Sequence, residues 1–388
     1  MLVAFQDHFS YYGPTRLIMG RGTIGNIPQI LNEQQVKKAQ IVTDRGLVQA
    51  GVVARVTEIL DKSHIAYSIY DGVEPNPPIR NVEDCAAQYQ SENCDFLLAI
   101  GGGSSMDVAK TSGVLVNHGG KITDYFIGEK PVPGPIPFLL CVPTTYGTAS
   151  EVTPFAVITD DNHFKGTVSG PYVIPDVGIL DADMAVALPL PIAAATGMDA
   201  LTHAIESYVS LMSNPISEGM ALHAIRLISQ NLRQAAYSDH NHEATQNMLI
   251  GSTMAGFAFS QTRLGNVHAM SHPVGGHYGV PHGIANSILL TRIMTYNRYA
   301  CPEKFADIAA AMGEDVNGLG AVDASVLAVE AVQNLSDDVG IPATLGEAGA
   351  KAEGIHVMAE DAMKSGNIQV NPRKTTIKDV IALYEESM

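Results

Sequence analysis

Two hydrophobic periods divide this chain. In the first half, short apolar blocks alternate with amphipathic stretches. AQIVTD (39–44), AYSIYDGV (66–73), FLLAIGGG (96–103) and PFLLCVPTT (137–145) read as strands, three of them continuous enough to be covered on both faces. GLVQAGVVARVTEILDKS and SSMDVAKTSGVLV, which follow the first and third blocks, carry the 3.6-residue period of helices. Strands separated by helices predict a parallel sheet covered on both sides, an α/β architecture of Rossmann-like type. After LPLP at 188–191 the period changes. IAAATGMDALTHAIESYVSL, SEGMALHAIRLISQNLRQAAY, EATQNMLIGSTMAGFAFS and the final TIKDVIALYEESM all have helical spacing, with almost no strand signal among them. This predicts an α/β dinucleotide-binding domain over 1–187 and an all-helical metal-binding and catalytic domain over 188–388. No internal repeat or low-complexity segment interrupts either half.

Composition narrows the function without changing the architecture. At 388 residues the chain can bury two cores, and 46% hydrophobic with 16% charged residues is an ordinary globular balance. A net charge of −17 argues against a nucleic-acid partner, which needs clustered Lys and Arg. Cys85, Cys94, Cys141 and Cys301 form no CxxC pair, so neither a zinc knuckle nor a dithiol motif is indicated, and scattered thiols fit a reducing cytoplasm. The opening MLVAFQDHFSYYGP lacks the basic and apolar regions of a signal peptide, and no apolar run is long enough for a membrane span. The expectation is a cytoplasmic enzyme acting on a small molecule, with no nucleic-acid or membrane partner.

The first chemical signal is GGGSSMD (101–107), placed between a strand and a helix. Glycines let the backbone approach a pyrophosphate, and the helix N-terminus offers unpaired N–H groups. It is not the GxGxxG fingerprint, which lies after a first strand with an acid about 20 residues downstream. Here the strand-end acid, Asp44, comes long before the loop. Asp44 suits a ribose hydroxyl and repels a 2′-phosphate, favouring NAD over NADP; it reads equally as an N-cap of the helix after it.

The second signal is a set of metal-ligand side chains. Asp199 and His203 lie four apart on one predicted helix face, and His268, His272, His277 and His282 follow within fifteen residues. Asp199, His203, His268 and His282 make one plausible set of a carboxylate and three imidazoles. His272 and His277 need not bind. Such donors suit Fe²⁺ or Zn²⁺. A divalent ion polarises a carbonyl or stabilises an alkoxide, and a nicotinamide exchanges hydride with the carbon. His272 is placed to relay the proton, or to support a ligand.

These motifs carry a resemblance. GGGSSMD, PTTYGTASEVT, ATGMDALTHAIESY, GNVHAMSHPVGG, PHGIANSILL and NPRK stand in order along essentially the whole chain. The chain resembles the iron-dependent (group III) alcohol dehydrogenases, most of all their 1,3-propanediol dehydrogenase and lactaldehyde reductase-like members. The resemblance implies a Rossmann-like α/β domain followed by an all-α domain, an NAD(H)-linked, metal-dependent alcohol dehydrogenase or aldehyde reductase, and a homodimer or larger assembly. It implies one divalent metal, Fe²⁺ before Zn²⁺, held by Asp199, His203, His268 and His282. It implies cofactor contacts from Asp44, Asn76, Gly102, Gly103, Ser104, Asp107, Thr144, Thr145, Thr148 and Lys165. It places Thr153, Phe259, Leu264 and Asn367 in the substrate pocket.

Three positions depart from the relatives. Arg263 stands where they carry a small or neutral residue, His277 where they carry Leu or Phe, and Tyr146 replaces a small residue in PTTxGT. Arg263 and His277 therefore join the pocket candidates, and a second reading makes the substrate a small anionic aldehyde of the sulfoacetaldehyde or succinic semialdehyde type. A third reading is a lyase resembling dehydroquinate synthase; its phosphorylated sugar-acid substrate needs several Lys and Arg, of which few lie near the histidine cluster. A non-catalytic metal-binding protein would keep the ligands and turn over no aldehyde.

Overall fold

A computed structural model describes residues 9–160 and 164–388; the N-terminal stretch read above lies outside them up to residue 8. The described residues form two compact units. One comprises Gly13–Thr145 with Ala149–Ala187; the other comprises Leu188–Met388 with Tyr146–Thr148 and the described residues before Gly13.

The α/β unit holds the strands β1 (Arg16–Met19), β2 (Lys38–Val42), β3 (Ala66–Tyr70), β4 (Phe96–Gly101), β5 (Leu139–Pro143), β6 (Phe155–Thr159), β7 (Lys165–Ser169) and β8 (Val177–Leu180). Its helices are α1 (Ile27–Gln34), α2 (Arg45–Gln49), α3 (Val52–Lys62), α4 (Ile79–Ser91) and α5 (Gly103–His118). Six strands form one parallel sheet in the order β1-β8-β5-β4-β2-β3, and β6 and β7 pair as a separate antiparallel ribbon. Side chains alternate across the sheet, as the two-residue period requires. On β4, Phe96, Leu98 and Ile100 face a core shared with α1 and α3, while Leu97 and Ala99 face one shared with Val82 and Cys85 of α4 and Met106 and Ala109 of α5.

The four strands expected from apolar runs are β2 to β5. The edge strand β1 and its neighbour β8 are only four residues each, too short for a periodic signal. The single helix expected after β2 is two, α2 and α3. Gly51 stands between them at φ 73°, in the left-handed region that a continuous helix cannot include.

The second unit is helical: α6 (Leu190–Val209), α7 (Pro215–Tyr237), α8 (His242–Thr262), α9 (Asn266–Tyr278), α10 (His282–Asn297), α11 (Pro302–Met312), α12 (Ala321–Asp338), α13 (Ile355–Ala362) and α14 (Ile377–Ser387). The apolar helix α6 runs through its centre, with fifteen of its residues buried, Ala193 to Val209. A helix buried nearly all round must be apolar nearly all round, so the polar exceptions on α6, namely Asp199, Thr202, His203, Glu206 and Ser207, are each costly unless paired. Among the described residues, no helix is long and apolar enough to cross a membrane.

Small residues let other backbones approach α6. A Cβ on Gly283, in the first turn of α10, would fall inside van der Waals contact of the Ala195 carbonyl. A Cβ on Gly147 would lie 3.0 Å from Thr196 Cβ. The first contact sets the spacing of α6 and α10 and hence the distance between Asp199 and His282. Replacing Gly283 by Ala is expected to force the helices apart at a cost of about 1–3 kcal/mol. Thermal unfolding of the variant measures this, and an unchanged Tm would show that α10 shifts freely.

Candidate functional site

Three helices bring the metal-ligand side chains together. On α6, Asp199, His203 and Glu206 are spaced i, i+4 and i+7, which puts them on one face. His268 lies in the first turn of α9 and His282 opens α10. One ligand atom each of Asp199, His268 and His282 lies within 4.8 Å of the others. His268 Nε2 is 3.9 Å and His282 Nε2 3.7 Å from Asp199 Oδ1. His203 stands beside them, its ring stacked on His268 at 4.6 Å between centroids and on Phe259 at 4.5 Å. His272 stacks on His282 at 5.3 Å and meets His268 edge-on at 6.1 Å, with its side reaching solvent.

Hydrogen bonds fix which ring nitrogens face inward. His268 Nδ1 donates to Glu206 Oε2 at 2.6 Å, leaving the Nε2 lone pair towards Asp199. His203 Nδ1 donates to the Gly147 carbonyl at 3.3 Å, with the same effect on its Nε2. Asn286, four residues after His282, points Nδ2 at Asp199 Oδ1 (2.6 Å), His268 Nε2 (3.1 Å) and His282 Nε2 (3.1 Å). One amide group has two hydrogens and faces three acceptors, while its Oδ1 has no partner. The surplus of acceptors around a single point is what a cation satisfies, so the donor set fits a divalent ion.

The electrostatics agree. Burial alone would raise Asp199; His203, His282, His268 and the Asn286 amide outweigh it and hold the carboxyl below its ordinary range. Burial, then the neighbouring His203, pushes His268 well below the usual imidazole value, so the ring is neutral and its lone pair is available. Burial pushes Glu206 up to about 7 against the backbone N–H groups that hold it down. Glu206 and Asn286 did not stand out in the sequence, although each shares a helix face with a candidate ligand: Glu206 seven residues after Asp199, Asn286 four after His282.

The remaining pocket candidates are spread more widely. Phe259 is buried against His203. Arg263 follows the last residue of α8 at φ 56°, ψ −166°, and Leu264 is half-buried beside it. The guanidinium of Arg263 lies against Gly366, where a Cβ would come 2.6 Å from Nη1, next to half-buried Asn367. His277 turns away to Asp361, its Nε2 2.9 Å from Oδ2. Thr153, in the α/β unit, is buried and accepts from Lys110 Nζ through its carbonyl at 3.0 Å.

The nucleotide candidates gather at the C-terminal edge of the parallel sheet. Strand order reverses between neighbouring β2 and β4, and the C-terminal ends of strands at such a switch point are where α/β sheets hold ligands. Asp44 ends β2 and GGGSS ends β4. Gly102 caps α5 with no side chain, so the first-turn N–H groups of Gly103 and Ser104 are not taken by a cap, and a Cβ on Gly102 would meet Thr145 Oγ1 at 3.1 Å. Buried Thr144 bonds its N–H to the Gly101 carbonyl. This bare, crowded helix start fits a pyrophosphate. Asp44 accepts the Leu47 N–H at 3.0 Å, which makes it the cap of α2. Lys165 Nζ donates to Asn76 Oδ1 at 2.8 Å. Asp107 is turned into the fold, accepting from Ser150 Oγ (2.8 Å) and Val157 N (2.9 Å), and Ser150 in turn accepts from the buried Lys110. Thr148 lies with the helical unit, next to Gly147.

Comparison with known proteins meets this geometry. The model of the iron-containing alcohol dehydrogenase family matches residues 14–182, and that of the C-terminal region of the Fe-containing alcohol dehydrogenase family matches residues 193–388. The chain is 41% identical over 381 residues to the 1,3-propanediol dehydrogenase of Klebsiella pneumoniae, covering 97% of this chain and 96% of that one. It is 41% identical over 368 residues to the lactaldehyde reductase of Escherichia coli (strain K12), covering 94% and 96%. The solved structure of a 1,3-propanediol oxidoreductase superposes with a TM-score of 0.95 at 40% identity, covering 98% and 100%. With matched models over both halves and relatives that span nearly the whole length, the chain belongs to the iron-containing alcohol dehydrogenase family.

Proposed function

We propose that this alcohol dehydrogenase interconverts short alcohols or diols with their aldehydes, using NAD(H) and one divalent ion held by Asp199, His203, His268 and His282. The observation that carries the reading is the convergence of Asp199 Oδ1, His268 Nε2 and His282 Nε2 on one buried point. Fe²⁺ is the ion the family name indicates; Zn²⁺ suits the same donors and binds such sites more tightly, so supply decides which is present. The bound ion would withdraw charge from the substrate oxygen. The nicotinamide would exchange hydride with the substrate carbon, so that alcohol and NAD⁺ become aldehyde, NADH and a proton.

The chain's own residues do the rest. Glu206 and the Gly147 carbonyl hold the two imidazoles in the tautomer that offers Nε2. Phe259 packs against His203 and keeps that side apolar. His272, stacked on His282 and open to solvent, carries the hydroxyl proton away from the site. Gly102, Gly103 and Ser104 receive the pyrophosphate, with Thr144, Thr145, Asn76 and Lys165 of the same unit around the cofactor. Asp107, bonded inward, fixes the first turn of that helix. Asp44 keeps Oδ2 for a ribose hydroxyl while Oδ1 caps α2. The reduced, buried cysteines suit a cytoplasmic enzyme, and the family resemblance supports a homodimer or larger assembly.

One feature favours a small anionic aldehyde as the substrate. Arg263 occupies a backbone region that is nearly exclusive to Gly and costs about 1–3 kcal/mol. Its guanidinium is exposed beside Gly366, next to the pocket candidate Asn367, where it could pair with a substrate anion.

Replacing His268 by Ala should remove the metal and lower turnover by at least about 10³-fold, while NADH binding, followed by fluorescence, stays near that of the native protein. Turnover that survives metal removal would defeat the reading. Replacing Asp44 by Gly should shift preference towards NADPH, read as the ratio of kcat/KM for the two cofactors; an unchanged ratio would leave Asp44 as a cap alone. Replacing Arg263 by Gly should relieve strain, raising Tm by roughly 2 °C, and lower kcat/KM for anionic aldehydes about 10–100-fold, with neutral aldehydes little changed. Equal losses for both substrate types would leave the guanidinium without a substrate role.

A further inference from the structure

The first turn of α9 carries His268, and its N–H groups have no partners within the helix. Its cap residue, Gly265, contributes no side chain. The acceptors come instead from two buried residues distant in sequence. Val267 N donates to Glu206 Oε1 at 2.6 Å and His268 N to Glu206 Oε2 at 3.4 Å. The Gly265 N–H also bonds to this carboxylate. Asn266 N donates to Asn371 Oδ1 at 3.3 Å. All four orphan donors of the turn are thereby satisfied.

Gly265 is what admits both acceptors. A Cβ there would lie 2.8 Å from Glu206 Oε1 and 3.1 Å from Asn371 Oδ1. Asn371, the first residue of NPRK, is itself fixed by a reciprocal amide pair. Its Nδ2 donates to Asn297 Oδ1 at 2.8 Å and its Oδ1 accepts from Asn297 Nδ2 at 3.0 Å, at the end of α10. A further bond from Nδ2 to the Arg373 carbonyl (2.8 Å) closes the loop. Asn266 Nδ2 reaches Thr375 Oγ1 at 2.8 Å, tying the same turn to the same loop.

We propose that Glu206 and Asn371 are positioning residues of the metal centre, which between them hold the backbone start of α9 and, through Glu206, the His268 ring. Glu206 grips His268 twice, at its backbone N–H and at Nδ1, so rotation of the ring and displacement of the helix are both opposed. Asn371 acts on the backbone alone. A carboxylate behind a ligand histidine commonly governs metal affinity. The inference rests on the reading of His268 as a ligand.

The test is titration of the metal-free protein with Co²⁺, reading affinity and the visible absorption of the bound ion, with circular dichroism to check folding. Glu206→Ala is expected to weaken binding about 10–100-fold and alter the absorption bands. Glu206→Gln, which keeps one acceptor oxygen for Nδ1, is expected to recover part of that loss, and it carries the test if the Ala variant does not fold. Asn371→Ala is expected to weaken binding about two- to tenfold. Affinity and spectrum within twofold of native in the folded Glu206 and Asn371 variants, with His268→Ala losing cobalt, would overturn the positioning roles. Cobalt binding by His268→Ala at native affinity would instead overturn the ligand assignment itself.

Discussion

A buried carboxylate oxygen and two imidazole lone pairs aimed at one point are unfavourable unless something positive sits among them. The helical unit is built around that constraint. Asp199 is buried, on a helix whose other faces are apolar, and water cannot relieve it. What relieves it in the protein alone is the Asn286 amide, which has fewer hydrogens than the acceptors it faces. The arrangement is therefore only half satisfied without a cation. It also forces the backbones together, because Asp199 and His282 reach each other only where Gly283 lets α10 approach α6.

The α/β unit solves a different electrostatic problem. A dinucleotide brings negative charge to a chain whose net charge is −17. Few cations are needed if the charge is met by backbone N–H groups at a helix start, and α5 supplies such a start at the point where the strand order reverses. The one buried lysine of α5, Lys110, is turned inward to Ser150, Thr153 and Phe155. It steadies the segment after β5 and stands alongside Asp107, whose carboxyl burial pushes up. The acid on that helix thus serves the shape of the loop.

Much of this was legible in the sequence, for identifiable reasons. Continuous apolar runs mark β4 and β5 because both faces are covered, and a glycine run after a strand marks the start of α5. Asp199 and His203 were legible because helical spacing places them on one face. Strands β1 and β8 were not, since four residues give no period. The β6–β7 ribbon was missed because its burial alternates while its sequence does not: exposed Val157 is as apolar as its buried neighbours Ala156 and Ile158. Glu206 was hidden for a subtler reason: a glutamate in a helix is ordinarily a solvent-facing residue. Only tertiary structure shows that this one is buried under three backbone donors and the His268 ring.

Glu206 and Asn371 bear on how rigidly the proposed ligands can be held. The proposed ligands Asp199 and His203 come from the interior of α6, where the backbone is fixed by its own hydrogen bonds. His268 and His282 come from helix starts, where it is not. A ligand at a helix start gains access and loses rigidity, unless the free N–H groups are tied elsewhere. For α9 they are tied, by Glu206 and Asn371. For α10 no side-chain cap is present and His282 is a third exposed. Of the four proposed ligands, His268 is thus the one at a helix start that side chains distant in sequence hold in place.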